Sequence, residues 1–327
     1  MSAFRQWFQR VTRGSGSQSG QAVAAVKEVA EFPITASDAG KASPVDKYWG
    51  EHTVNSKPFA SADESERYLQ WRASVYPKFR ELMHLYGNHD NEVILDYGCG
   101  PGNDVVGFAL YTKARKIIGI DVSKKALSLT SNRLALHEID SNRIKLIHSS
   151  DVLGKVPLAD QSVDYINCGG VLHHTTNPQS LLREFYRVLK PNSSACIMIY
   201  NRDSLWLHLY TAYEKMIIEN EFAGLDVYEA FGRNTDGVNC PIARCYASDE
   251  FIEMCEVAGF RCEYAGAYLS DTELNSYKTS AEAALADERL ADEHKQFISA
   301  LTFDAEGLPS FNGKYAGIGG VYYLYKD

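Results

Sequence analysis

The chain has 327 residues, 45% of them hydrophobic and 23% charged, with a formal net charge of −9. That is ordinary globular composition, enough for one large domain with insertions or two modest ones. No apolar run reaches the roughly 18 residues of a membrane-spanning helix, which argues against one. The charge is uneven: residues 201–327 carry 22 acidic and 10 basic side chains, whereas the first 200 carry 20 and 23. An acidic C-terminal third is a poor surface for phosphate backbones, so no nucleic-acid partner is expected. Seven cysteines, at positions 99, 168, 196, 240, 245, 255 and 262, show no paired spacing. They are expected as free thiols in a reducing, cytoplasmic setting. No His near Cys240 and Cys245 completes a zinc pattern, so no metal is expected.

Residues 1–45 read as a flexible leader, rich in Gly, Ser, Ala and Gln from residue 14. Before that stretch, Phe4, Trp7, Phe8 and Val11 follow helical spacing with Arg5, Arg10 and Arg13 between them. Residues 1–13 can therefore make peripheral membrane contact, act as an organellar targeting peptide, or dock on their own domain. Residues 46–90 read as a helical lid, with aromatics clustered in Tyr48-Trp49 and Tyr68-Leu69-Gln70-Trp71.

From Val93 the pattern alternates strand and helix. Strands are expected at 93–97, 116–120, 144–148, 163–167 and 195–200, with helices at 103–113, 124–137 and 177–189. This alternation predicts a parallel sheet covered on both faces, within a domain spanning 91–327. A helix at 248–258 and strands at 261–269 and 317–325 follow. Two excursions interrupt the pattern, an aromatic-rich one at 201–247 and a largely helical one at 271–313.

The candidate chemistry sits where strands end. Gly98, Gly100 and Gly102 follow Asp96 with G-x-G-x-G spacing, which differs from the G-x-G-x-x-G of dinucleotide loops. Glycines there let backbone approach a ligand without Cβ contact. Asp121 ends the second strand about 20 residues on, placed to accept ribose hydroxyls. Asp151 ends the third and can accept from an adenine amine, with the following backbone N–H of Val152 near a ring nitrogen. Asn167-Cys168-Gly169-Gly170-Val171-Leu172-His173-His174 ends the fourth. Open α/β sheets bind ligands at these carboxyl ends.

Taken together, Asp96-x-Gly98-x-Gly100-x-Gly102, Asp121, Ser150-Asp151, the run from Val163 to His174 and Arg187-Val188-Leu189-Lys190-Pro191 resemble the class I S-adenosylmethionine-dependent methyltransferases. The flavour is that of the branch that includes the ubiquinone- and menaquinone-biosynthesis enzymes. The resemblance covers roughly residues 90–200. It implies a doubly wound α/β fold with a mostly parallel seven-stranded sheet, an antiparallel C-terminal strand and helical insertions. It implies S-adenosylmethionine as cofactor, with Asp96, Gly98 and Gly100 under the methionine part and Gly102 closing the loop. Asp121 would hold the ribose and Val122 the adenine face. Asp151 and Val152 would read the adenine edge, and Cys168 would lie near the methionine moiety. The expected reaction is in-line methyl transfer to a small-molecule substrate, with His173 and His174 as candidate catalytic bases. Same-fold transfer of another group, or cofactor binding without catalysis, are the alternatives.

Overall fold

The computed structural model describes residues 32–36 and 42–327; the expected helix around Trp7 lies outside them. One eight-stranded sheet organises the chain. In chain order its strands are β1 (Ile34–Ala36), β2 (Val93–Tyr97), β3 (Lys116–Asp121), β4 (Ile144–His148), β5 (Val163–Gly169), β6 (Leu189–Tyr200), β7 (Arg261–Tyr268) and β11 (Gly319–Lys326). Across the sheet the order is β1-β4-β3-β2-β5-β6-β11-β7. All pairs from β1 to β6 are parallel, while β11 runs antiparallel to both β6 and β7. The doubly wound sheet expected from the sequence is therefore present, with one strand more than the expected seven.

The extra strand corrects the reading of residues 1–45 as flexible throughout. Ile34–Ala36 pairs with Leu146–His148, and Phe32 is buried in the core beyond it. A three-residue strand is too short to show periodicity. Pairing with the otherwise open edge of β4, which lends its backbone groups, fixes it.

Alternation along the strands divides the core. Leu95, Ile118, Ile120 and Ile166 face one side, with Leu181, Leu182 and Phe185 of α6 (Pro178–Val188) and Phe251 of α9 (Ser248–Val257). Ile94 and Ile117 face the other, against Val105, Val106 and Phe108 of α4 (Asn103–Tyr111) and Leu127 and Leu134 of α5 (Lys124–Leu136). A parallel sheet covered on both faces needs apolar residues at nearly every position, which is why these strands read as unbroken hydrophobic runs. The helices start on local caps: the Ser123 hydroxyl accepts from the Ala126 amide, and the Asn177 side chain from the Ser180 amide ahead of Pro178.

Before the sheet come α1 (Pro44–Glu51), α2 (Ala62–Val75) and a short turn of helix, α3 (Phe79–Leu82). Arg133 of α5 is buried and donates to Ser65 of α2 and Asn103 of α4, which joins this segment to the sheet layer. The first excursion holds α7 (Trp206–Ile218), a π-helical stretch, and α8 (Val227–Asp236). The wider hydrogen bonding shows in Glu219, whose amide donates to Glu214, five residues back. The second excursion holds α10 (Asp271–Ala286) and α11 (Asp292–Ser299), packed on α7 through Leu290, Phe297 and Ile298. It is not helical to its end: β8 (Thr302–Phe303), β9 (Pro309–Phe311) and β10 (Lys314–Tyr315) make a small antiparallel sheet, with positive φ at Gly307 and Gly313 in its turns.

One contact fixes how α4 sits. A Cβ on Gly107 would fall 2.0 Å from Cζ of Tyr86. Gly107→Ala is expected to lower stability by about 1–3 kcal/mol through overpacking, read as a fall in the thermal unfolding midpoint. An unchanged midpoint would show that Tyr86 has room to move aside.

Candidate active site

A cavity of about 320 Å³ opens at the carboxyl ends of β2, β3, β4 and β5 and extends towards β6 and the insertion. The glycine loop forms one wall. Gly98, Gly100 and Gly102 have φ of +72°, +53° and +80°, values that favour glycine. The positions differ in what they leave free. A Cβ at Gly98 would lie 2.2 Å from Val171 Cγ2, and one at Gly102 would lie 2.6 Å from Thr130 Cγ2, so these two glycines pack against protein. A Cβ at Gly100 would meet nothing within 4 Å, and Gly100 lines the cavity.

Asp121 holds this loop. Its Oδ2 accepts the Gly100 amide at 2.8 Å and its Oδ1 accepts the Ser123 amide at 2.7 Å. Burial raises its carboxyl above the ordinary value, and these backbone donors work against that rise. Val122 lines the cavity beside it. Asp151 also lines the cavity, but its carboxylate accepts from the Thr176 amide at 3.1 and 3.2 Å and from the Thr176 hydroxyl. Val152 is over half exposed, and its amide donates to the Ser150 hydroxyl at 3.2 Å.

Below the loop lies a buried acidic pair. Asp104, at the start of α4, lines the cavity and takes Arg72 of α2 at 2.7 and 3.2 Å. Asp96 is buried behind it; Oδ1 accepts from Asn167 at 2.9 Å and Oδ2 has no partner. Burial, and then the Asp104 charge, push the Asp96 carboxyl up to about 8.

Two expected residues take unexpected places. Cys168 ends β5 as expected, but its side chain is fully buried in the core under the sheet and does not line the cavity, because strand alternation points it away. His173 is also fully buried; neither ring nitrogen has a partner, and burial holds its imidazole well below the ordinary value. Its ring centroid is 3.8 Å from that of Tyr200. A neutral ring sealed from the cavity cannot exchange a proton with a ligand there, so of the two expected bases only His174 remains. His174 lines the cavity; its Nδ1 donates to the Ile242 carbonyl at 2.7 Å, and its Nε2 lies 3.8 Å from Asp236 Oδ1. With Cys240 these two form a His–Asp–Cys cluster whose donor atoms lie within 4.8 Å of one another. The 66 positions that separate His174 from Cys240 hide that meeting from any search for local metal spacing.

Sequence reasoning also missed Asp46. Its side chain caps α1 reciprocally with Ser43, and it accepts the Ser150 hydroxyl at 2.5 Å and the Asp151 amide at 2.9 Å. The Tyr48 hydroxyl donates to the Asp236 carbonyl at 2.5 Å, and Thr53 meets Ser123 at 3.0 Å. Helix α1 is thereby pinned across the cavity, with Val45 and Trp49 in its wall. The Ser43-x-x-Asp46 capping pattern was the available signal.

Residues 88–241 match a family model described as a methyltransferase domain. Over those residues, just under half of its length, the chain carries a methyltransferase domain. S-adenosylmethionine is the cofactor of this family. An uncharacterized methyltransferase of Schizosaccharomyces pombe is 36% identical over 106 residues, 32% of this chain and 38% of that one. A demethylmenaquinone methyltransferase of Oceanobacillus iheyensis is 25% identical over 156 residues, 47% and 61% of the two chains. The chain thus spans under two thirds of the length of both relatives. A solved S-adenosylmethionine-dependent methyltransferase from Mesorhizobium loti is similar at 16% identity, with a TM-score of 0.47 over 76% of this chain and 97% of that one. Among the described residues no helix is long and apolar enough to cross a membrane.

Two predictions follow from these buried groups. His173→Phe keeps the ring contact with Tyr200 and removes two unpartnered nitrogens, each of which costs roughly 1–3 kcal/mol. The thermal midpoint is expected to hold or rise and cofactor binding to persist; lost binding would return His173 to the site. For Asp96 the sign is set by a folded-state value raised from 3.8 to about 8. Between those values the unfolded chain has released a proton that the folded chain keeps, so this group's contribution to stability falls as pH rises. In urea unfolding, Asp96→Asn is expected to gain on the parent between about pH 5 and about pH 8. A constant difference would contradict a raised value for Asp96.

Proposed function

We propose that this chain transfers a methyl group from S-adenosylmethionine to a small-molecule acceptor. The observation that carries this reading is one continuous cavity, lined by Gly100 and Asp121 at the strand ends and by Trp49, Tyr200 and Tyr268 on the side of the insertions. When bound, the cofactor supplies an electrophilic methyl group on a sulfonium; the protein's task is to bind, orient and exclude water.

The residues fit a cationic nucleoside. Asp121 uses one lone pair of each oxygen on Gly100 and Ser123; the remaining acceptor capacity is free for ribose hydroxyls. Val122 supplies apolar contact for the base. Asp151 offers a carboxylate to the adenine amine, shared with Thr176, and Val152 lies at the outer rim. The loop of Gly98, Gly100 and Gly102 admits the methionine part at Gly100, where open space faces the cavity. Asp104, although paired with Arg72, keeps a carboxylate at the cavity floor that can accept from an ammonium. His174 presents an accepting Nε2 to the acceptor and is the proton acceptor where the reaction needs one. The Asp46 anchor holds α1 over the cavity and keeps water from the reacting atoms.

A small acceptor is supported by the enclosure of the cavity under α1 and by the demethylmenaquinone methyltransferases among the relatives, which are named for a small molecule. Methyl-labelled cofactor incubated with the protein and a metabolite extract is expected to put label into a low-mass product. Label appearing only in protein or RNA would contradict this reading. Asp121→Ala is expected to weaken cofactor binding about tenfold or more in calorimetry, the scale of hydrogen bonds to a charged group. Unchanged affinity would remove Asp121 from the binding site.

A further inference from the structure

On the side of the cavity walled by the insertion, one carboxylate is left incomplete. Asp236 ends α8 with its side chain only 10% exposed. Its Oδ1 accepts the Tyr200 hydroxyl at 3.0 Å, while Oδ2 is buried and has no partner. Burial raises its carboxyl above the ordinary value. Across from it, His174 holds its Nδ1–H on the Ile242 carbonyl, and its Nε2 stands 3.8 Å from Asp236 Oδ1, too far for a direct hydrogen bond. With the ring neutral, Nε2 and the carboxylate are two facing acceptors, which a positively charged donor between them satisfies.

The surroundings point the same way. Among the described residues, Arg72 is the only Lys or Arg that lines the cavity, and it is paired with Asp104. The Trp49 ring lies 4.7 Å from that of His174, and Tyr200 meets His174 edge-on at 5.6 Å. Aromatic rings beside a carboxylate suit an organic ammonium ion.

We propose that the methyl acceptor is an amine, bound as its ammonium between Asp236 and His174; this rests on the methyltransferase reading above. The ammonium gives one N–H proton to His174 Nε2 and keeps its hydrogen bond to Asp236. The freed nitrogen lone pair forms the new N–C bond as the S–C bond breaks, with that electron pair remaining on sulfur. Positive charge leaves sulfur and ends on nitrogen, next to Asp236, whose carboxylate stabilises it as it develops. A phenol or quinol acceptor would instead bring a developing negative charge against the same carboxylate, which the site opposes.

The test uses the full chain saturated with S-adenosylhomocysteine and three probes of one shape: phenethylamine, 2-phenylethanol and phenylacetate. Calorimetry is expected to show phenethylamine binding about tenfold or more tightly than the alcohol, the scale of a desolvated cation–aromatic contact, with phenylacetate weakest. Asp236→Asn is expected to abolish that order, and Tyr200→Phe to reduce it, with S-adenosylhomocysteine affinity unchanged in both. Equal binding of amine and alcohol, no binding of the amine, or a preference that survives Asp236→Asn overturns the proposal. So does stoichiometric zinc binding that Cys240→Ser abolishes and that excludes phenethylamine, since the cluster would then be a metal site. Failure of S-adenosylhomocysteine to bind at all is a separate result, which overturns the methyltransferase reading and this one with it.

Discussion

The Asp121 carboxylate joins two pieces of backbone that would otherwise diverge, the Gly100 amide on the loop after β2 and the Ser123 amide at the start of α5. Much of the site follows from that bridge. It fixes the loop in a conformation that needs positive φ at three glycines, and it holds the open face of Gly100 towards the cavity. The loop can lie so low only because Gly98 and Gly102 have no side chains to strike Val171 and Thr130. The Thr130 hydroxyl returns a bond to the Gly100 carbonyl at 2.8 Å, so loop, strand and helix are mutually tied. Backbone donors spent on a buried carboxylate keep a charge where burial alone would discourage it.

The same balance between burial and charge recurs through the cavity. Among the described residues, Asp104 is matched by Arg72, Asp96 has only Asn167, and Asp236 has only Tyr200 at hydrogen-bonding distance. Buried carboxylates with incomplete partners cost stability, and active sites are where such costs persist. Here they lie along one cavity that is proposed to hold a cationic cofactor and a cationic acceptor. Helix α1 walls this cavity from a segment that precedes the sheet, and its Asp46 reaches the loop after β4 rather than solvent. Helix α1 and the rim of the site therefore share hydrogen bonds.

The central fold was legible because its physics is local. Unbroken apolar runs at Ile94, Ile117 and Ile166, glycines at strand ends and caps at Ser123 and Asn177 each act over a few residues. The edge strand at Ile34–Ala36 was not legible, since three residues carry no period and the pairing comes from β4. Candidate side chains divided along the same line. Those whose role depends on position at a strand end, such as Asp121 and Asp151, could be placed from the sequence on the rim of the cavity. Those whose direction depends on a twist of one residue could not: His173 and His174 are neighbours, yet one is sealed in the core and the other faces the cavity. Asp236 and Cys240 gain meaning only by folding against His174, and the sequence holds no trace of that distance.

The central claim is that the cavity over the glycine loop binds S-adenosylmethionine. A crystal structure of the full chain grown with S-adenosylhomocysteine tests it most directly. The account predicts the ligand along Gly100, its ribose hydroxyls on Asp121, its amino group over Asp104, and its sulfur directed towards His174 and Asp236. A ligand bound elsewhere, or a cavity left empty at saturating concentration with the Asp121–Gly100 bond intact, would contradict it.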